Sequence, residues 1–154
     1  TLWFTFPFFN LPFFFLDIAK KGKYYSRITT IVLENSFNAL YHTDKAITIN
    51  ISALDIEKLS TRKKIYELLD LHKDSASRVV FELLEDEEVK DFKEIEKFIS
   101  KVKEYSVRIA IDDFGAGYSN FARLLKYQPD ILKIDGSLIK NIETNNSEIN
   151  MLKQ

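Results

Sequence analysis

The chain has 154 residues, 45% of them hydrophobic and 29% charged, with no cysteine; this is the profile of one ordinary globular domain or part of one, and it excludes disorder, collagen-like repeats, a disulfide scaffold and thiolate zinc sites. Lysine and arginine number 22 against 23 aspartates and glutamates, so no global positive field draws the protein onto a DNA or RNA polymer or onto anionic lipid, and an anionic ligand must be held locally. The absence of cysteine allows a reducing interior, and a cytoplasmic location is the expectation.

The first fifteen residues crowd together seven of the thirteen phenylalanines and the single tryptophan, Trp3. They have no basic leader and no small-residue cleavage site, and Pro7, Asn10 and Pro12 interrupt them, which argues against a signal peptide and against a membrane span. A buried strand taken from its neighbours would be this apolar, and so would a misjoined start. Residues 1–10 are therefore set apart as an apolar start of open status.

Further along, helix and strand signals alternate without repeats or a linker. Tyr24, Ile28, Ile31, Val32 and Phe37 recur at three- and four-residue spacing, predicting an amphipathic helix over 23–41. A strand follows over 46–52, with Ile47, Ile49 and Ile51 on one side and Thr48, Asn50 and Ser52 on the other. A second helix is expected over 62–72 and a strand from Arg78 to Leu84. Val89, Phe92, Ile95, Ile99 and Val102 mark the buried stripe of a third helix. Val107 to Ile111 reads as a strand and Asn120 to Tyr127 as a short helix ended by Pro129. Ile131 to Ile134 reads as a fourth strand.

This β-α-β-α order predicts a mostly parallel sheet covered by helices, closed as a barrel or open and doubly wound. In either case ligands gather beyond the carboxyl ends of the strands. Asn50 stands at the first such end, Glu82 and Glu85 at the second, Asp112 and Asp113 at the third, and Lys133 and Asp135 at the fourth. The sharpest element is the run from Ile109 to Ser119, an apolar strand leading into two adjacent carboxylates and a glycine-containing turn. Burying two carboxylates side by side is costly unless a cation neutralises them. Oxygen donors without thiolate or paired imidazole select Mg²⁺ or Mn²⁺, and two adjacent acids suit a metal pair acting on a phosphodiester.

Other motifs are weaker. Gly115 and Gly117 match the first two glycines of a dinucleotide fingerprint, but Asn120 stands where the third small residue belongs. Asp113-Phe114-Gly115 matches the metal-binding triplet of kinases, without a catalytic loop or glycine-rich loop before it. His42 and His72 lie far apart in no catalytic spacing and read as surface or structural residues. The charge run from Glu82 to Lys103 alternates in sign at helical spacing, as in Glu94 and Lys97, and reads as a solvated face.

Four motifs taken together resemble the EAL domain, a family of bacterial phosphodiesterases that linearise cyclic di-GMP. They are Ile49-Asn50-Ile51-Ser52, Phe81-Glu82-Leu83-Leu84-Glu85, Asp112-Asp113-Phe114-Gly115-Ala116-Gly117-Tyr118-Ser119 and Lys133-Ile134-Asp135. The resemblance covers residues 11–154 and implies a TIM-type (β/α)8 barrel, present here as an incomplete barrel, since about 250 residues are typical of the closed form. It implies Asn50, Glu82 and Asp112 as ligands of a first Mg²⁺ or Mn²⁺ ion, Asp113 as ligand of a second, and Lys133 as the group that orients the attacking water. Asp135 would support the same strand end, Glu85 would steady the loop from Gly115 to Ser119, and Asn50 and Ser119 would touch cyclic di-GMP. The family also implies a homodimer and N-terminal sensor or cyclase domains in the parent protein, through which it could be tethered to a membrane.

The sequence departs from the family in carrying no Glu-Ala-Leu triplet and none of the later strands that bring a further glutamate. Leu84 stands where threonine is usual and Gly136 where arginine is common. The expectation is a parent that hydrolyses cyclic di-GMP and a piece that is inactive alone. The alternative is a degenerate module that acts as a non-catalytic cyclic di-GMP receptor or protein-interaction domain.

Overall fold

The computed structural model describes residues 24–84, 92–115 and 121–136. Helix α1 spans Tyr25–Ala39, strand β1 Ile47–Asn50, helix α2 Ala53–Glu57 and helix α3 Leu59–Leu71. A 3-10 helix over Lys73–Arg78 leads into β2 at Val79–Leu84. Helix α4 follows at Phe92–Lys103, then β3 at Arg108–Phe114, α5 at Phe121–Tyr127 and β4 at Ile131–Ile134. The four strands form one sheet in the order β1-β2-β3-β4, and each neighbouring pair is parallel. This is an arc of a TIM-type barrel, in which every strand runs toward the same rim. Among the described residues, no helix is long and apolar enough to cross a membrane.

Alternation along the strands sorts side chains onto two faces. Ile47 and Ile49 of β1, Val79, Phe81 and Leu83 of β2, and Ile109 and Ile111 of β3 are buried against the helices. There they meet Leu33 and Phe37 of α1, Ile65 and Leu69 of α3, and Ile95, Phe98 and Val102 of α4. Phe81 and Phe98 pack with ring centroids 5.8 Å apart. Burying each such side chain stabilises by about 1.5–3 kcal/mol, which makes this helix-covered face the main source of cohesion. The opposite face carries Thr48, Asn50 and Glu82, as the polar side of the predicted β1 implied.

Several boundaries differ from expectation for identifiable reasons. In α1 the stripe that meets the sheet is Leu33 and Phe37, continued by Leu40, whereas Tyr24, Ile31 and Val32 lie exposed on the other side of the helix. The helix carries two apolar stripes, and spacing alone does not say which one faces the core. Ser52 does not continue β1; it caps α2, where its side chain and that of Asp55 form a capping box. Arg78 ends the 3-10 helix, and its guanidinium donates to the Leu40 and Thr43 carbonyls and to Ser75 Oγ. Strand β3 runs three residues past Ile111, so both aspartates belong to it. Val89 and residues 1–23 lie outside the described residues.

His72 is a core residue with 5% exposure, its ring centroid 5.5 Å from Phe37 and 4.7 Å from Tyr41. Its Nε2 is buried with no hydrogen-bond partner among the described residues. Burial lowers its pKa from the ordinary 6.5. The unfolded ring therefore takes up a proton that the folded ring refuses, so stability is full above pH 6.5 and declines as the pH falls below it. Urea unfolding between pH 7.5 and pH 5 should show His72→Phe with a shallower decline than wild type; an unchanged slope would contradict the assignment.

Candidate metal and phosphodiester site

The rim of the sheet is built strand by strand. Asn50 closes β1 directly beside Glu82 of β2 in the parallel register. Glu82 pairs with Ala110, and two residues further along β3, on the same face, comes Asp112. Between β3 and β4 the register is irregular: Ile111 pairs with Leu132 and Phe114 with Ile134. Two residues of β3, Asp112 and Asp113, thus stand against one residue of β4, Lys133, which is the arrangement of a β-bulge. The bulge has a backbone signature, a left-handed φ of 56° at Asp113 followed by 95° at Gly115. Aspartate is among the few residues that tolerate this region and glycine enters it freely, so Asp-Asp-Phe-Gly is a sequence suited to the turn it makes.

Lys133 Nζ donates to Glu82 Oε1 and lies 3.5 Å from Asp112 Oδ2. Glu82 is 5% exposed, whereas Lys133 and Asp112 are half-buried and Asp113 is exposed. The Glu82 and Asp112 carboxyls share a hydrogen bond. Burial, reinforced by that bond, pushes Glu82 above the usual carboxylate range, with Lys133 pulling the other way. Asp112 is held below it, first by the hydrogen bond from Glu82 and then by the Asp113 backbone N–H and Lys133, against the effect of burial. Lys133 is partly desolvated, yet Glu82 and Asp112 raise its pKa and keep it an ammonium. The two acids are thus pushed in opposite directions while both face the Lys133 ammonium.

The donor set consists of two carboxylates, with an amide on the neighbouring strand and a second aspartate beside them. Its chemistry fits a hard divalent ion, and the ammonium of Lys133 lying between Glu82 and Asp112 shows that the spot attracts a cation. Among the described residues, no three His, Cys, Asp or Glu side chains converge into a metal-holding group. Asp135 stays at the rim, where its N–H donates to the Phe114 carbonyl at 2.9 Å. Glu85 and Ser119 lie outside the described residues. A Cβ at Gly136 would meet nothing within 4 Å, so space does not demand a glycine there.

Two polar arrangements escaped the sequence reading. Glu94 hydrogen-bonds Lys97 at 2.7 Å as its spacing suggested, but it also pairs with Arg62 of α3 at 3.0 Å. The charge run is therefore partly an inter-helix tie, a contact that no local pattern reveals. The second is the buried Asp55; the pattern Ser52-x-x-Asp55 just before an apolar residue was the available signal.

A parallel α/β arc with carboxylates, an amide and a lysine at its carboxyl rim defines the class as a TIM-type barrel with a polar rim at the strand ends. The chain belongs to the EAL domain family, whose sequence profile matches residues 10–154. It is 30% identical over 139 residues to the cyclic di-GMP phosphodiesterase PdeF of Escherichia coli K12, an alignment covering 87% of this chain and 19% of that protein. Among solved structures it is similar to the PaMucR phosphodiesterase in complex with c-di-GMP, with a TM-score of 0.70 and 28% identity over 81% of this chain and 56% of that one. The EAL domain of FimX from Pseudomonas aeruginosa bound to c-di-GMP has the same fold, with a TM-score of 0.75 at 20% identity over 90% of this chain and 57% of that one. The chain thus spans about a fifth of PdeF and little more than half of each structure.

Because the folded pKa of Glu82 is raised above its ordinary 4.5, the stability linked to its proton is present below pH 4.5 and lost as the pH rises through the folded value. Without divalent ions, Glu82→Gln should therefore gain in Tm relative to wild type at pH 7.5 and gain less at pH 4.5. Calorimetry in chelator at the two pH values checks this, and an equal difference at both would contradict it.

Proposed function

We propose that the rim residues of this chain serve, in the full-length parent, the hydrolysis of cyclic di-GMP to the linear dinucleotide by metal-assisted phosphodiester cleavage. The observation that carries the reading is the β3 bulge, which sets Asp112 and Asp113 against Lys133 with buried Glu82 alongside. The similarity to PdeF supplies the substrate class. Residues 11–154 are, on this reading, the part of the domain that brings these four strand ends.

Asn50, Glu82 and Asp112 would hold one Mg²⁺ or Mn²⁺ ion and Asp113 a second. Bound ions supply Lewis-acid stabilisation of the attacking and leaving oxygens of an in-line displacement. The residues do the rest. Lys133, kept as an ammonium by its two acids, points a hydrogen-bond donor at the rim, where it orients water and meets charge developing on the phosphoryl oxygens. Asp135 keeps the end of β4 joined to Phe114, and so keeps Lys133 opposite the aspartates. Asn50 offers a neutral oxygen to ion or ligand, and Glu85 and Ser119 take the loop-steadying and substrate-contacting roles of their family positions. A homodimer, sensor or cyclase domains in the parent, and a cytoplasmic site of action complete the proposal.

The parent protein carrying Asp112→Asn should form no linear dinucleotide from cyclic di-GMP in Mg²⁺ or Mn²⁺, with an unchanged circular dichroism spectrum; undiminished turnover would sink the assignment. Lys133→Met should cut kcat by about 10²–10³ with a smaller effect on KM, as for loss of one donor to a developing oxyanion. Binding of cyclic di-GMP in chelator, with no product in either metal, would instead establish the non-catalytic receptor.

A further inference from the structure

Asp55 lies outside the rim, on α2, and is 3% exposed. Its two carboxylate oxygens receive an unusual number of donors. Oδ1 accepts from Thr29 Oγ1 at 2.9 Å. Oδ2 accepts from the Tyr25 hydroxyl at 2.9 Å, from Ser52 Oγ at 2.6 Å and from the Ser52 backbone N–H at 3.2 Å. In return the Asp55 N–H donates to Ser52 Oγ at 3.1 Å. The flanking Lys58 ammonium sits 5.0 Å from the centre of the Tyr25 ring and donates to Ser26 Oγ at 2.9 Å. One helix cap would need only the bonds to Ser52. The bonds from Tyr25 and Thr29 come from α1, on the far side of β1 in the chain, so Asp55 ties the segment after β1 to a second helix.

That segment begins at Asn50. The next residue, Ile51, donates its N–H to the Glu82 carbonyl at 3.0 Å, and the one after it, Ser52, is gripped by Asp55. The backbone on the exit side of Asn50 is thus held by β2 and by Asp55, while its side chain stands at the rim beside Glu82. An amide is a neutral and weak oxygen donor, so its usefulness as a ligand depends on its being held in place beforehand.

We propose that Asp55 is a positioning residue for Asn50, setting the divalent-ion affinity of the rim from a buried knot that touches neither ion nor substrate. This rests on the reading of the rim as a metal site. Replacing Asp55 with asparagine keeps one carbonyl oxygen but cannot satisfy four donors, and it loosens the exit of β1 without altering any rim side chain.

The test uses the full parent protein and Mn²⁺ alone, with free ion measured by electron paramagnetic resonance. Asp55→Asn should raise the Mn²⁺ dissociation constant about tenfold, the size expected when support behind a ligand is lost. It should also speed hydrogen exchange at the Ile51 N–H in the metal-free protein. Ile65→Val, in the core of α3 and away from the knot, should lower Tm with both readouts at wild-type values. Tyr25→Phe removes a single hydroxyl and keeps the ring; it should shift affinity in the same direction by less, and it serves if Asp55→Asn does not fold. Variants at Asp55 and Tyr25 that lose Tm but keep wild-type Mn²⁺ affinity would overturn the positioning role while leaving the metal site intact. Wild type and Glu82→Gln binding Mn²⁺ equally would overturn the metal-site reading and the positioning role together.

Discussion

The contact that the rim depends on is the one among Lys133, Glu82 and Asp112, because it joins three successive strands through charge. A carboxylate as buried as Glu82 is tolerated only with partners, and both of its partners come from other strands. The contact in turn demands the extra residue in β3, which brings two aspartates opposite one lysine. Charge neutralisation, strand register and the left-handed turn at Asp113 are therefore one constraint seen in three ways.

The sheet divides its work between its faces. The strand side chains that meet the helices are apolar, from Ile47 to Ile111, and supply cohesion, with His72 packed beside Phe37. The other side carries the polar residues and can be ordered there because the first side is rigid. Parallel pairing then delivers every strand end to one rim, which is why residues as distant in the chain as Asn50 and Lys133 belong to a single arrangement.

Much of this was legible in the residues. The alternation of Ile47, Thr48, Ile49 and Asn50 foretold both faces of β1, and the stripe from Phe92 to Val102 foretold α4, because each is a local periodicity. The acidic strand ends were legible for the same reason: an apolar run that stops at a carboxylate needs a partner for it. Three features were not legible. The side of α1 that meets the sheet depends on packing, since Tyr24, Ile31 and Val32 form as good a stripe as Leu33 and Phe37. The tie from Arg62 to Glu94 is a contact between helices distant in sequence. The bulge is a property of a pair of strands, and Asp-Asp alone does not disclose which residue of a later strand it will face.

Among the described residues, the strands stand in the sheet in the same order as in the chain, and no later strand is inserted between earlier ones. During synthesis from the N-terminus, each strand as it emerges therefore finds its neighbour already made, so the arc is lengthened by addition at one edge. Asn50 and Glu82 come together first and Asp112 joins them next. Lys133 arrives only with the last described strand, so until then Glu82 and Asp112 stand on neighbouring strands without the ammonium that faces them in the finished arc.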